Sequence, residues 1–217
     1  DPEYVNNGFA WRGHFQDNPP QIPTKDNHVA SYRRIINIPE NWDGKQVIAH
    51  FGSVTSNMYL WVNGHYVGYT EDSKVAAEFD ITKYLKKGTN LIAFQTFRWS
   101  DGSYCEDQDF WRLSGVAREC YLYARDNNIH VEDMHITPTL TNNYEDGEAL
   151  VKVTAKGNPI IDFEIFNANG TSVLKTKSNF KNRNIGSARF MLRNVKKWTA
   201  ETPYLYTLVA TVLDKKN

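Results

Sequence analysis

Short β-type runs separated by turn residues are the feature that most limits what this chain can fold into. No stretch of ten or more residues has the apolar spacing of an amphipathic helix, so helix is nearly excluded. Runs of this length and spacing are typical of sandwich proteins, and the sequence therefore predicts an all-β chain. The predicted strands cover residues 30–38, 45–54, 57–62, 66–70, 89–97, 117–124, 129–140, 149–157, 160–167, 187–193 and 204–213.

Three local signals refine this prediction. Asn63-Gly64 and Asn169-Gly170 each offer the positive-φ pair of a tight hairpin turn. The stretch 80–88 predicts a single helical turn that begins at Asp80 as the N-cap and stops at Gly88. The four aromatic residues around the first turn are better explained by packing across a hairpin than by a binding platform. They are Tyr59, Trp61, Tyr66 and Tyr69.

The chain is long enough for two domains of ordinary size. A polar break at 125–128 separates two series of strands, which predicts one domain over 1–126 and a second over 127–217. The second domain has the size of an immunoglobulin-like sandwich. A sandwich of that kind normally needs one more strand than we find here, so we expect it to be truncated at its C-terminal end with an exposed edge.

Charge and motif content exclude several classes of function. Lysine plus arginine and aspartate plus glutamate both number 25, so the chain has neither the basic footprint of a nucleic-acid-binding protein nor a polybasic membrane anchor. No apolar run approaches the roughly 18 residues of a membrane span. Nucleotide-binding loops, nucleophile elbows and metalloprotease motifs do not occur. Cys105 and Cys120 fit neither a disulfide framework nor a zinc site, which predicts reduced thiols in the core.

The segment RWSDGSYCEDQDFWRLSG, residues 98–115, is the main candidate for a functional site because it concentrates carboxylates and aromatic rings. Glu106 and Asp109 could act as an acid and nucleophile pair, since retaining glycosidases use two carboxyl groups roughly 5 Å apart. However, the nearby Arg98 and Arg112 would lower both pKa values, and nothing in the segment keeps one carboxyl group protonated.

Three other roles fit the same segment. One of its carboxylates could contribute an oxygen ligand to a monovalent or divalent cation, although the segment does not form a full cage. Asp109 beside Phe110 and Trp111 could recognise a sugar, with the carboxylate accepting hydroxyl hydrogen bonds and a ring forming an apolar floor. Alternatively, the acidic residues Asp101, Glu106 and Asp107 only order the loop by pairing with nearby arginines. Residue types alone do not separate these roles.

Three stretches carry a resemblance to a known family. They are LWVNGHYVGYTEDSKVAAEFDIT (60–82), RWSDGSYCEDQDFWRLSGVAR (98–118) and KKWTAETPYLYTL (196–208). In this order and spacing they resemble the N-terminal part of the β-galactosidases of glycoside hydrolase family 2, lactose-operon type. The resemblance implies a jelly-roll sugar-binding domain followed by an immunoglobulin-like sandwich, with the catalytic TIM barrel absent from this chain.

The resemblance also implies the roles of particular residues. Asn6, in a P-x-Y-x-N motif, and Asp109, the second aspartate of EDQD, would bind galactose. Asp109 would also be a ligand of a sodium ion that the barrel completes. Sodium and magnesium would be cofactors of the full-length parent, and this chain alone would hold no catalytic residue, no complete cofactor site and no activity. The galactoside would bind only with the barrel present.

The resemblance leaves alternatives open. The chain could be a self-sufficient carbohydrate-binding module, or it could belong to a related glycosidase of the β-glucuronidase or β-mannosidase type. The parent is expected to form homo-oligomers and to bind neither nucleic acid nor membranes. A cytoplasmic parent is favoured, with a periplasmic or secreted one as the alternative.

Overall fold

The computed structural model describes residues 9, 11–106, 113–179 and 185–213, and strands dominate all of these ranges. The chain separates into two compact units, Asp1–Arg125 and Asp126–Asn217. No helix in the described ranges is long and apolar enough to cross a membrane.

The first unit has nine strands and three short 3-10 helices within its described residues. The strands are β1 (Val29–Asn37), β2 (Gln46–Phe51), β3 (Val54–Thr55), β4 (Asn57–Val62), β5 (His65–Thr70), β6 (Ala77–Asp80), β7 (Thr89–Phe97), β8 (Gly115–Val116) and β9 (Cys120–Arg125). The 3-10 helices are Glu40–Trp42, Thr82–Tyr84 and Asp101–Tyr104.

Two main sheets pack face to face in the first unit. One has the strand order β1-β7-β4-β5 and the other β6-β2-β9, while β3 and β8 form a small separate ladder. Apolar side chains of β2 and β4 belong to one buried cluster, and because these strands lie in different sheets, the cluster is the core of a sandwich. These side chains are Val47, Ala49 and Phe51 of β2, and Met58, Leu60 and Val62 of β4.

The second unit has six strands within its described residues. They are β10 (His130–Thr141), β11 (Asp146–Lys156), β12 (Ile160–Phe166), β13 (Ser172–Asn179), β14 (Ile185–Leu192) and β15 (Thr207–Leu213). They form two three-stranded sheets in the orders β10-β11-β14 and β13-β12-β15. In the described part of the chain, β15 therefore lies at the edge of its sheet.

Strict alternation along the two central strands builds the core of the second unit. Val151, Val153 and Ala155 of β11 are buried, whereas Lys152 and Lys156 between and after them are exposed. On β12 the buried positions are Ile161, Phe163 and Ile165, and all six residues share one apolar cluster. The two sandwiches confirm the predicted all-β class.

The two predicted hairpin turns exist but differ in conformation. Asn63 and Gly64 have φ angles of 51° and 84°, so both adopt the left-handed pair of a two-residue turn between β4 and β5. In the second turn only Gly170 has a positive φ, 77°, and the loop is longer. There the backbone N–H of Asn167 donates to the carbonyl of Thr171 at 2.9 Å, and the Asn167 side chain accepts from the N–H groups of Asn169 and Thr171.

The predicted helical turn is also present, but its bounds were wrong. It covers Thr82–Tyr84, with Ile81 rather than Asp80 at the N-cap position. Asp80 still orders its start, because its Oδ1 accepts from the Thr82 N–H at 3.0 Å and from the Thr82 hydroxyl at 2.6 Å. Gly88 lies four residues beyond the turn; with φ at 80° it redirects the chain into β7.

The prediction for the two cysteines was half right. Both are free, as expected, but both are exposed, so neither is a core thiol. Cys105 directly follows the last 3-10 helix of the first unit, and Cys120 begins β9, which lies at the edge of its sheet. A residue at the end of a 3-10 helix or on an edge strand is accessible to solvent. The apolar periodicity of the sequence did not predict this exposure.

Candidate functional site

The two residues predicted to bind galactose, Asn6 and Asp109, lie outside the described residues. The structure does describe chain close to each of them. Phe9 is three residues from Asn6, and Glu106 is three residues from Asp109.

Strand pairing brings these two parts of the chain together. β1 and β7 are antiparallel neighbours with Val29 opposite Phe97, so the segment before β1 and the segment after β7 leave the sheet at the same end. Asn27 links these two segments by two hydrogen bonds to the backbone of Trp99. Its Nδ2 donates to the Trp99 carbonyl at 3.0 Å, and its Oδ1 accepts from the Trp99 N–H at 2.9 Å.

Aromatic rings from both segments form one cluster. Trp11 lies 6.1 Å from the Phe9 ring and 5.3 Å from the Tyr104 ring, centroid to centroid. Phe15 makes edge contacts with Trp99 at 5.4 Å and with Tyr104 at 5.6 Å. Trp11 and Trp99 are buried, so the cluster is a small core of its own that fixes the described ends nearest to Asn6 and Asp109.

The hydroxyl group of Tyr104 extends this contact to the backbone. It donates to the carbonyl of Gln21 at 2.5 Å and accepts from the N–H of Asn18 at 3.3 Å. Tyr104 therefore holds the N-terminal segment by its ring and by its oxygen. The sequence analysis did not predict this role of Tyr104. The aromatic residues in both segments were the only feature of the sequence that could have indicated it.

The loop-ordering prediction paired Glu106 with a nearby arginine, but among the residues that the structure describes its partner is Ser73. Its Oε2 accepts from the Ser73 hydroxyl at 2.8 Å and its Oε1 from the Ser73 N–H at 3.2 Å. Because both of its oxygens are engaged by Ser73, the Glu106 carboxylate ties the end of its loop to that residue. Arg118, an arginine three residues beyond the 98–115 segment, donates to the Lys74 carbonyl at 3.3 Å.

Glu71 holds the other end of the same loop. Its Oε1 accepts from the Gly102 N–H at 2.5 Å, and its Oε2 accepts from the Tyr69 hydroxyl. A Cβ atom at Gly102 would lie 2.8 Å from Glu71 Oε1, so the Glu71 side chain would have to shift to admit a larger residue. Burial and the bond to Glu71 both raise the pKa of Tyr69, which keeps the phenol protonated as the donor.

Comparison with known proteins assigns the two units. Residues 4–126 match the model of the glycosyl hydrolases family 2 sugar binding domain, and residues 129–217 match the model described as glycosyl hydrolases family 2. This chain belongs to glycosyl hydrolases family 2. The family-level prediction is confirmed.

Curated relatives of this family 2 chain are bacterial β-galactosidases. The protein from Priestia megaterium is 40% identical over 97% of this chain, and the one from Halalkalibacterium halodurans is 37% identical over 99%. In both comparisons the aligned part is 21% of the relative, so the chain spans about a fifth of their length.

Solved structures agree on the fold. A β-glucuronidase from Bifidobacterium dentium, complexed with coumarin-3-O-glucuronide, matches 87% of this chain and 37% of its own at a TM-score of 0.74 and 19% identity. A β-glycosidase from Bacteroides vulgatus matches 87% of this chain and 24% of its own at a TM-score of 0.73 and 23% identity. At such identities the likeness supports the fold alone.

The described residues of the family 2 chain offer little for a metal ion. No three histidine, cysteine, aspartate or glutamate side chains within them come close enough to hold one. Carboxylate oxygen is the kind of ligand that a hard cation prefers.

The outer face of the β1-β7-β4-β5 sheet carries the predicted aromatic packing. The Tyr59 ring lies 4.7 Å from Tyr69 and 6.2 Å from Trp61, and Trp61 lies 5.9 Å from Tyr66. Beside Trp61 there is a shallow groove of about 350 Å³. The side chains of Ser31, Arg33, Trp61 and Gln95 line it, since these positions pair in register along one face.

A larger groove of about 540 Å³ lies within the second unit. Its walls are mostly apolar and come from β10, β11, β14 and the residues between β14 and β15. It lacks the converging polar groups that orient a polar substrate, so we do not assign it to sugar chemistry.

Proposed function

We propose that this chain supplies the sugar-binding and adjoining sandwich units of a β-galactosidase, while the catalytic barrel lies outside it. The full-length protein would hydrolyse terminal β-D-galactosides such as lactose with retention of configuration, using a carboxylate nucleophile and an acid/base group through a covalent intermediate. Curated β-galactosidases that match 97% and 99% of this chain support the proposal.

One structural observation carries the proposed role of the chain. The segments that lead to Asn6 and Asp109 leave the same end of one sheet and share an aromatic cluster around Trp11 and Tyr104. This shared end of the sheet supports a proposal in which two residues that are distant in sequence contact one sugar. We propose that Asn6 and Asp109 bind the galactose, and that Asp109 is also one ligand of a sodium ion completed by the barrel.

The contribution of the chain to the reaction would be positional. Asn6 and Asp109 would hydrogen-bond sugar hydroxyl groups, and the bound sodium would supply a fixed positive charge for a further hydroxyl oxygen. A sugar displaced by about 1 Å can lose about a hundredfold in rate, because catalysis depends on alignment with the reacting groups. Magnesium, also expected in the full-length protein, would be bound by residues outside this chain.

Substitution of Asp109 in the full-length protein tests this function. Asp109→Ala should raise KM for a chromogenic β-galactoside, lower kcat and weaken activation by sodium. Asp101→Asn is the matched control, because Asp101 is an exposed carboxylate of the same loop, and it should change none of these values. The 217-residue chain alone should show no hydrolysis.

Two results would contradict the proposal. One is hydrolysis by the isolated chain that Asp109→Ala abolishes, since the catalytic groups would then lie within it. The other is a full-length Asp109→Ala variant with unchanged kcat, KM and sodium dependence. A full-length protein that cleaves β-glucuronides or β-mannosides but not β-galactosides would instead favour a related glycosidase.

A carbohydrate-binding module is the second candidate function, and the groove beside Trp61 favours it. An aromatic ring flanked by Ser31, Arg33 and Gln95 combines an apolar surface with hydrogen-bonding groups. Calorimetry of the isolated chain with lactose distinguishes the candidates. Millimolar or tighter binding that is lost in Trp61→Ala but kept in Asp109→Ala would support the module. If no heat of binding is measured, the result agrees with a sugar site that is incomplete without the barrel.

The assembly of the full-length protein is a separate part of the proposal. We expect it to form homo-oligomers, with neither nucleic acid nor membrane as a partner. Sedimentation of the full-length protein and of this chain alone would show whether these units are sufficient for assembly. A full-length monomer at micromolar concentration would contradict this expectation.

A further inference from the structure

We propose that the groove beside Trp61 binds a pyranose sugar, with the Trp61 ring on the apolar face of the sugar and with Arg33 and Gln95 bound to its hydroxyl groups. The inference rests on the second candidate function, that of a carbohydrate-binding module, and gives it a site built wholly from described residues of the first unit. Sugar binding in this groove does not exclude the catalytic role of the full-length protein, so the two are tested separately.

Strand pairing shapes the groove as a slot across three strands. Ala93 of β7 lies opposite Arg33 of β1 on one side and opposite Trp61 of β4 on the other. Adjacent strands are about 4.7–4.9 Å apart, so Arg33 and Trp61 leave the sheet about 9–10 Å apart with only the Ala93 methyl group between them. Two van der Waals contacts take about 3.5–4.0 Å each, which leaves room for one puckered ring. The small side chain of Ala93 is therefore what opens the slot.

The Trp61 ring is held in place but has one side open to the slot. Leu60 and Val62, its neighbours along β4, are buried in the core, so Trp61 projects from the outer face of the sheet. Its ring contacts Tyr66 of β5 at 5.9 Å and Tyr59 of β4 at 6.2 Å, centroid to centroid. These contacts come from β4 and β5, while the side toward β7 and β1 lines the groove. A ring that is already fixed loses little conformational freedom on binding.

The polar groups around the slot include both donors and acceptors. Gln95 Nε2 donates to the Ser31 hydroxyl oxygen at 3.1 Å, which leaves Gln95 Oε1 as an acceptor and the Ser31 hydroxyl hydrogen as a donor. Arg33 is exposed and has no hydrogen-bond or ion-pair partner among the described residues, so its five N–H donors are available to a ligand.

This combination of groups fits a sugar better than an inorganic anion. A sugar hydroxyl both donates and accepts, so it needs donors and acceptors close together, and the C–H groups of one sugar face supply an apolar surface for an aromatic ring. An anion would use only the donors and would leave the Trp61 ring without a partner. The groove volume of about 350 Å³ lies at the lower end of the range for small-molecule sites, which suits a mono- or disaccharide.

The experiment measures, by equilibrium dialysis, the galactose bound per chain of the full-length protein as free galactose is raised. Ala93→Leu is the principal variant, because a larger apolar side chain on the floor of the slot fills it without removing Trp61. Trp61→Ala removes the wall itself, and Trp198→Ala, at an exposed tryptophan of the second unit, is its matched control. Asp109→Ala tests the proposed catalytic role, and the melting temperature of every variant is recorded.

We expect the wild type to bind two galactose molecules per chain, and the one in the slot should have a Kd of about 1–10 mM. Ala93→Leu and Trp61→Ala should each bind one, and Trp198→Ala should match the wild type. Arg33→Ala should raise the Kd of the slot by about threefold to tenfold, as the loss of hydrogen bonds would. The 217-residue chain alone should bind one galactose, which Ala93→Leu abolishes and Asp109→Ala retains.

The outcomes separate this inference from the proposed catalytic role. If Ala93→Leu and Trp61→Ala bind as much galactose as the wild type, or if Trp198→Ala loses the binding instead, the inference is wrong whatever Asp109→Ala does. If Ala93→Leu loses one galactose and Asp109→Ala loses none, the slot stands and the galactose-binding role of Asp109 fails.

Two further results decide the remaining cases. Should Ala93→Leu and Trp61→Ala not fold, Arg33→Ala on the edge strand β1 decides, and a wild-type Kd in that variant would overturn the inference. Binding of inorganic sulfate that depends on Arg33, without any binding of galactose in the slot, would also overturn it, because the site would then recognise an anion.

Discussion

The two sandwiches differ in where they bury polar groups. Among the described residues, eight of the nine buried polar side chains lie in the first unit, and His130 alone lies in the second. The eight are Ser53, Ser56, Asn57, Ser73, Asn90, Thr96, Ser100 and Ser103. The second unit instead buries a regular alternation of apolar residues on β11 and β12.

The difference in buried polar side chains matches the kind of chain segment that each unit contains. The first unit fixes long irregular segments: the Asn90 side chain donates to the backbone carbonyl of Lys86, and the Ser73 hydroxyl donates to the Glu106 carboxylate. The second unit consists mainly of paired strands, and this pairing satisfies the hydrogen-bonding groups of their backbone. We infer that polar contacts set the shape of the proposed site and that apolar packing sets the stability of its neighbour.

The largest effect should come from the apolar core of the second unit. Phe163 is fully buried and makes an edge contact with Phe190 at 5.5 Å. Phe163→Ala removes this packing and leaves a cavity, so it should lower the free energy of unfolding by about 3–5 kcal/mol in scanning calorimetry. Val209→Ala, at an exposed position of β15, is the control and should cost under about 0.5 kcal/mol. Equal costs would show that β12 is not the core strand.

A polar core residue of the first unit should come next. Asn90 is 1% exposed, and its Nδ2 donates to the carbonyls of Lys86 and Gly88 at 2.8 and 2.9 Å. Asn90→Ala leaves these groups without their partner, so it should cost about 2–3 kcal/mol on chemical denaturation. Asn37→Ala, at an exposed asparagine that accepts from Thr89, should cost far less. If both cost the same, buried polar contacts do not order the first unit.

The sequence predicted the regular parts of the molecule better than the irregular ones. Period-two alternation identified β11 and β12, and the Asn-Gly pair identified the β4–β5 hairpin, because these signals are local. The strand β13 was missed, since SVLKTKSN has little apolar alternation and forms through pairing with β12. Tertiary pairing of this kind overrides the intrinsic preference of a segment.

The candidate site was predictable only in part. The composition of residues 98–115 indicated a special loop, but the partners of that loop come from elsewhere in the chain. Ser73 lies 33 residues before Glu106, and Asn27 lies 72 residues before Trp99. No local spacing encodes such contacts, which explains why arginines were assigned to Glu106 and why Ser73 was overlooked.

The two hairpin turns should also differ in the stability cost of replacing their asparagines, by a smaller amount than the core residues. Asn63 has a positive φ, and its Nδ2 donates to the Tyr84 carbonyl and to Asn90 Oδ1 at 2.9 and 2.8 Å. Asn63→Ala should therefore cost about 1–2 kcal/mol. Asn169→Ala should cost under about 0.5 kcal/mol, because the Asn167 side chain orders that turn. Urea denaturation of both variants measures the difference, and a larger cost at Asn169 would contradict this account.

The pH dependence of the first unit should show a still smaller effect at Asp80. Burial opposes ionisation of this carboxyl group, but hydrogen bonds from Thr82 and Gln46 outweigh it and lower its pKa. A lowered pKa in the folded state stabilises the fold above the unfolded value, about 3.9, and this stabilisation disappears as pH falls through the folded pKa. Asp80→Asn should thus lower the melting temperature by about 1–3 °C at pH 7, and this difference should shrink as the pH falls below the unfolded value and through the lowered folded pKa.

Glu164 provides the corresponding test in the second unit, and we expect the smallest effect there. A hydrogen bond from Ser172, together with the charge of Lys175, lowers its pKa, so Glu164→Gln should also lose its effect on stability in acid. The Lys175 Nζ to Glu164 Oε2 distance is 3.4 Å, and the lysine is well exposed, so salt should screen the pair. The melting-temperature difference between wild type and Glu164→Gln should therefore shrink in 1 M salt by the contribution of Lys175, while the contribution of neutral Ser172 remains. The difference for Asp80→Asn should change less, because its main hydrogen bonds come from neutral Thr82 and Gln46. Equal salt sensitivity of the two variants would contradict the division between polar anchoring in the first unit and surface pairing in the second.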